Sequence, residues 1–107
     1  MNDYTEKILK SGRTFLSRWQ QANACVWEYH LSHTTITFRL EKPGVIGNLH
    51  IACIEPILYS GKFKWNNCCF QVNYNEEKQL YILTDKQNEV SIECEAIEFK
   101  ENCKPIF

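Results

Sequence analysis

The hydrophobic pattern of this chain changes its period near Asn23, and this change restricts the fold more than any other feature. Before Asn23 apolar residues recur at helical spacing, which predicts a helix over about residues 3–22 with Asn2 or Asp3 as its cap. After Asn23 apolar and polar residues alternate, which predicts a sheet over about residues 25–99. Neither element can bury its apolar face alone, so we predict that the two pack together. The apolar helix face consists of Tyr4, Ile8, Phe15, Leu16 and Trp19. We predict that the last four of these contact the sheet residues Ile36, Phe38, Leu49, Ile51 and Ile92.

Several segments after Asn23 have the composition and flanking turns of strands. Most of the links between them are short and polar, which indicates an antiparallel meander of about six strands. We expect Pro56 to end the third strand. In the last strand the apolar phase shifts between Cys94 and Ile97, which indicates a bulge or bend in a curved sheet. A chain of 107 residues suits one core, so we predict a single α+β domain. The predicted strands are 25–31, 34–41, 48–55, 68–74, 80–84 and 89–99.

Charge and composition argue against several classes of partner. The net charge is −1, with 12 basic and 13 acidic residues, so the chain has no strong attraction to nucleic acid or anionic lipid. No apolar run approaches the roughly 20 residues that cross a bilayer. The first residues also lack the basic and apolar regions of a secretory signal. We therefore expect a cytoplasmic protein without a membrane partner.

The adjacent Cys68 and Cys69 are the most conspicuous chemical groups in the sequence. Adjacent strand residues point to opposite faces, so we predict that Cys68 lies in the core and that Cys69 faces outward or lies under the neighbouring loop. The cysteines lack the paired spacing of zinc sites, and disulfides need an oxidising compartment. We therefore predict reduced, structural thiols and no metal or other cofactor. An alternative is a metal or thiol site formed by His30, His33, His50 and Cys69, which depends on the strand order.

Two surface segments are candidates for binding a partner. Residues 61–65 alternate lysines with Phe63 and Trp65, a pattern that can stack nucleic-acid bases. The slightly acidic total and the lack of a ribonucleoprotein-type motif argue against that use, and Trp65 suits an anchor of its loop equally well. Glu93 and Glu95 project from one face of the last strand, where they form either a solvent face or a surface for a basic partner. We therefore take Phe63, Trp65, Glu93 and Glu95 as candidate partner-binding residues.

Aromatic residues also allow a small-ligand pocket between the helix and a curved sheet. Its walls would be Tyr4, Trp19, Trp27 and Tyr29, although these residue types serve a filled core equally well.

Short apolar segments within residues 23–101 carry a resemblance to other proteins. The segments are 26–29, 36–40, 49–54, 60–61, 65–67 and 90–99. They resemble small single-domain proteins of cyanobacteria and other bacteria and, more distantly, immunity proteins of bacterial toxin systems. The resemblance implies a bacterial protein that acts by binding an unidentified protein partner. We therefore expect a non-enzymatic binding module of immunity or adaptor type. The alternatives are a small-ligand-binding domain and a small thiol- or metal-dependent enzyme.

Overall fold

Helix α1 comprises Asp3–Arg18 in the computed structural model, which describes residues 1–32 and 34–101. Asn2 caps it, because the Asn2 side chain accepts a hydrogen bond from the Thr5 amide at 2.8 Å. The helix ends earlier than predicted. The Trp19 backbone leaves the helical region, and the Gln21 amide then donates to the Cys68 carbonyl at 2.7 Å. Asn23, the residue after the predicted helix, is the first residue of a strand.

Seven strands form one antiparallel sheet in the order β4–β1–β2–β3–β7–β6–β5. The predicted α+β class, with an N-terminal helix on an antiparallel sheet, is confirmed. The seventh strand is β4, which is too short to show an alternating pattern. The strand order also departs from a simple meander, because β7 lies between β3 and β6. The strands are β1 (Asn23–His30), β2 (Thr35–Glu41), β3 (Leu49–Ser60), β4 (Lys64–Trp65), β5 (Gln71–Asn75), β6 (Leu80–Asp85) and β7 (Val90–Glu101).

The long pair of β3 and β7 contains the predicted bend. The buried positions of β7 change phase between Cys94 and Ile97, as the sequence predicted. The register also shifts on β3 between Pro56 and Leu58. The prediction that Pro56 ends the strand is wrong. The pairing of β2 with β3 stops at Ile54, so Pro56 lies where β3 is an edge on that side, and proline is tolerated at an edge.

The core lies between α1 and the inner face of the curled sheet. The buried helix residues are Thr5, Leu9, Gly12 and Leu16, and Ile8, Phe15 and Trp19 also pack into the core. Tyr4, which shares the apolar helix face in the sequence, is exposed, and the buried Leu9 was missed. The strands in closest contact with α1 are β5 and β7. A Cβ atom on Gly12 would lie 2.6 Å from the Phe99 ring, so this glycine permits the close approach of the helix.

Candidate functional site

Trp65, a predicted surface residue, lies in the interior with 6% of its surface exposed. Its ring meets the Phe38 and Phe70 rings edge to face, with centroids 6.2 and 5.6 Å apart. Its indole nitrogen donates to Asp85 Oδ2 at 2.8 Å. Trp65 therefore anchors its loop to the core, which is the second of the two roles that the sequence allowed.

Asp85 joins several segments through one buried carboxylate. Its oxygens accept hydrogen bonds from the Trp65 indole, from the Cys69 amide at 3.0 Å, and from the backbone and side-chain nitrogens of Asn88. Cys68 is buried beside this group, as predicted, whereas Cys69 is half-buried. Burial, with the Asp85 charge as a second cause, raises the pKa of the Cys68 thiol to about 12. Cys68 is therefore protonated at neutral pH, which suits a structural thiol and not a nucleophile.

An apolar cleft opens where the sheet divides. The pairing of β2 with β3 ends at Thr35 and Ile54, but β3 continues beside β7 as far as Ser60. The gap between the end of the β1–β2 hairpin and the second half of β3 encloses a cavity of about 370 Å³. We call this cavity the fork cleft. Its lining residues are Val26, Tyr29, Ile36, Pro56, Ile57, Leu58, Tyr59 and Phe63.

Four large side chains around the fork cleft are mostly exposed to solvent. The exposed fractions are 60% for Tyr29, 61% for Ile57, 59% for Leu58 and 73% for Phe63. Single exposed apolar residues are ordinary, but a group of them around one cavity marks an interaction site. The fork cleft is therefore the strongest candidate site in the described part of the chain.

Backbone contacts hold Phe63 at the rim of the fork cleft. The Phe63 carbonyl accepts a hydrogen bond from the Val26 amide at 2.8 Å, which ties the loop to β1. The Tyr59 hydroxyl donates to the Lys62 carbonyl, and the rings of Tyr59 and Phe63 lie 6.4 Å apart. Because the loop is fixed on both sides, Phe63 is presented in a defined position before any partner arrives.

The acidic candidates lie beside the same part of β3. Glu93 is opposite Leu58 in the β3–β7 pair, and its carboxylate lies 3.7 Å from the Lys78 ammonium group. Glu95 is exposed on the same strand. Of the four candidate residues, Phe63 therefore lines the fork cleft, and Glu93 lies on the strand that pairs with the β3 wall of the cleft. Ile57 and Leu58 were missed, although the apolar run that follows Pro56 could have indicated them.

The predicted aromatic ligand pocket does not form, because its four residues lie in different places. Trp27 lies on the outer face, where the Arg39 guanidinium is 4.3 Å from its ring centre. A shift of register between Val26 and Glu28 marks a bulge at Trp27 in β1, whereas Tyr29 lines the fork cleft. Trp19 is buried and donates its indole hydrogen to Glu101 at 2.7 Å, and Tyr4 is exposed on α1.

The alternative metal or thiol site is not assembled in the described residues. Cys69 is beside Asp85, whereas the His50 ring lies 6.4 Å from Trp27 on the outer face. Burial and the nearby Arg39 charge lower the pKa of His50. His30 lies 2.7 Å from the Glu28 carboxylate, and His33 is outside the described residues. Within residues 1–32 and 34–101, no three His, Cys, Asp or Glu side chains are grouped closely enough to hold a metal ion.

Comparisons of the chain with protein-family models, with curated proteins and with solved structures find no match. In the described part of the chain, no helix has the length and apolar character needed to span a membrane.

Proposed function

We propose that this protein is a non-enzymatic protein-binding module of the immunity or adaptor type, which holds an apolar segment of its partner in the fork cleft. The observation that carries the proposal is the group of four large, mostly exposed apolar side chains around one cavity. Their burial against a partner would remove apolar surface from water, which is the main favourable term in most protein association. We also propose a cytoplasmic location, which agrees with the free thiols of the five described cysteines.

The chemistry of the cleft lining favours binding over catalysis. Apart from two tyrosine hydroxyl groups, the lining side chains carry no acid, base or nucleophile. The Tyr59 hydroxyl already donates to the Lys62 carbonyl. A lining of this kind can bury apolar groups and orient them, but it offers little for proton transfer.

The proposal can be tested by affinity capture from a bacterial lysate at gentle salt. The wild-type chain should retain a specific protein, and Phe63→Asp should lose it, because a charge at the rim opposes burial of the cleft. The matched control is Ile46→Asp, which changes an apolar residue that is 96% exposed and lies outside the cleft lining. Equal capture by all three chains, or no specific capture by the wild type, would contradict the proposal.

The cavity volume also favours a second candidate function, the binding of a small apolar molecule. About 370 Å³ falls at the lower end of the range for ligand sites, which is roughly 300–1,000 Å³. Native mass spectrometry of gently purified protein should then show a bound small molecule, which Phe63→Asp should lose. A mass equal to that of the chain alone in both samples would argue against this candidate.

A further inference from the structure

Exposed strand edges attract other strands, and two edges of this sheet are protected. At β5, Arg13 Nε donates to the Val72 carbonyl at 3.3 Å, and Gln20 Nε2 donates to the Phe70 carbonyl at 3.2 Å. Side chains from α1 and its C-terminal turn thus occupy acceptors along this edge. At the other end of the sheet, β4 has only two residues, and the part of β1 that extends beyond it carries the exposed Glu28 carboxylate, which discourages a further strand.

A third edge lies inside the fork cleft and lacks such protection. Residues 56–60 pair with β7 on one side, but within the part of the chain that the structure describes no strand pairs with them on the other. In an antiparallel pair, alternate residues direct their backbone N–H and C=O groups away from the partner strand. Side chains of this edge are apolar at Ile57, Leu58 and Tyr59, and it carries no lysine or glutamate that would repel a further strand.

Charges at the two ends of this edge give it a direction. Glu55 precedes the edge and is exposed, and Lys62 follows it by two residues and is also exposed. A bound strand should therefore have a basic residue near Glu55 and an acidic residue near Lys62. The whole sheet is antiparallel, and antiparallel pairing is slightly the more stable kind. A strand antiparallel to residues 56–60 would begin near Lys62, so its acidic residue would come first in its sequence.

We propose that the partner contributes an extended segment that pairs as an added antiparallel strand with residues 56–60, acidic at its start and basic at its end. This inference rests on the proposed function and specifies how the fork cleft recognises its partner. Hydrogen bonds to the open edge hold the backbone of the segment, while alternate apolar side chains enter the cleft. The edge is five residues long, or about 17 Å, so a short linear segment is sufficient.

The test uses synthetic peptides of about seven residues, which cover the edge with one flanking residue at each end. Each peptide alternates valine with threonine, begins with aspartate and ends with lysine. A second version is N-methylated on alternate backbone amides, which removes hydrogen-bond donors and keeps every side chain. A third exchanges the two end charges. Binding to the full chain is followed by calorimetry. We expect N-methylation to weaken binding by about tenfold or more, since about two hydrogen bonds are lost. Exchange of the charges should weaken it by about threefold.

Two variants locate the binding surface. Ile57→Lys places a charge on the open edge and should abolish peptide binding, whereas Ile46→Lys should leave it unchanged. Urea unfolding verifies that both variants are folded.

Each result decides one part of the proposal. Equal binding of the methylated and unmethylated peptides would overturn strand addition but leave the apolar cleft as a protein-binding site. Equal binding after the charge exchange would overturn the antiparallel direction. If no peptide binds up to millimolar concentration, strand addition is overturned, and the affinity capture with Phe63→Asp decides the proposed function separately. A dimer of the free chain that Ile57→Lys dissociates would also overturn the proposal, because the occupant would then be a second copy.

Discussion

Replacement of Asp85 by alanine should be among the most destabilising substitutions in this chain. The Asp85 carboxylate is fully buried and accepts hydrogen bonds from the Trp65 indole at 2.8 Å and from the Cys69 amide at 3.0 Å. Hydrogen bonds to charged groups contribute about 1.5–3 kcal/mol each, and the alanine variant would leave both donors without an acceptor. We therefore expect a loss of about 3–5 kcal/mol, a large share of the roughly 5–15 kcal/mol that stabilises a typical domain.

The loss can be measured by urea unfolding, followed by tryptophan fluorescence and circular dichroism. Asp85→Asn should lose about half as much unfolding free energy as Asp85→Ala. Its amide oxygen can still accept hydrogen bonds from Trp65 and Cys69, but its NH2 group would face the Asn88 backbone N–H group, which is also a donor. Glu77→Ala, an exposed acidic residue, is the control and should stay within about 0.5 kcal/mol. A loss below about 1 kcal/mol for Asp85→Ala would refute the reasoning. The Trp65 loop would then be held in place by packing alone.

Three further predictions concern the helix and one thiol. Leu9 is buried, so Leu9→Ala should lower the free energy of unfolding by about 2–5 kcal/mol. Lys10 is exposed, so Lys10→Ala should lower it by less than about 0.5 kcal/mol. Equal losses in urea would show that α1 is not docked. In the wild-type chain the new methyl group of Gly12→Ala would clash with the Phe99 ring, and Phe99→Ala would relieve this clash. The change in unfolding free energy caused by Gly12→Ala should therefore be at least about 1 kcal/mol more favourable in a Phe99→Ala background than in the wild type. A double-mutant cycle without coupling would contradict the close contact. The raised pKa of Cys68, about 12, means that the folded state keeps a proton that the unfolded state releases near pH 9. Stability should therefore fall as pH rises from about 9 towards 12, more steeply than in a Cys68→Ala variant, as urea midpoints would show.

The parts of the fold that depend on local pattern could be predicted from the sequence. The Asn2 cap requires only short-range contacts, and the buried positions of Cys68 and Cys94 follow from alternation within their own segments. The phase change in β7 could be predicted for the same reason, since Cys94 and Ile97 cannot face one side of a regular strand.

Features that depend on how distant segments meet could not be predicted in this way. Pro56 ends a strand only if both sides of that strand are paired, and here β2 stops beside Ile54. The fork cleft is a result of that same mismatch in strand length, so the apolar run after Pro56 could indicate Ile57 and Leu58 as apolar residues but not as the wall of a cleft. Asp85 was part of a polar connector in the sequence, and its burial depends on Trp65, which reaches it from the far edge of the sheet.

The position of β7 has a consequence for the order in which the fold can be completed. Within the described chain β7 is the last strand in sequence, yet it joins the β4–β1–β2–β3 half of the sheet to the β6–β5 half. During synthesis the two halves therefore remain unpaired until β7 leaves the ribosome, and the edge of β3 that pairs with β7 stays open for that time. Contacts between residues as distant as Leu49 and Glu101 also close long loops, which slows folding. A nascent chain of this protein should therefore be prone to aggregation, and so depend on chaperones, until β7 has emerged.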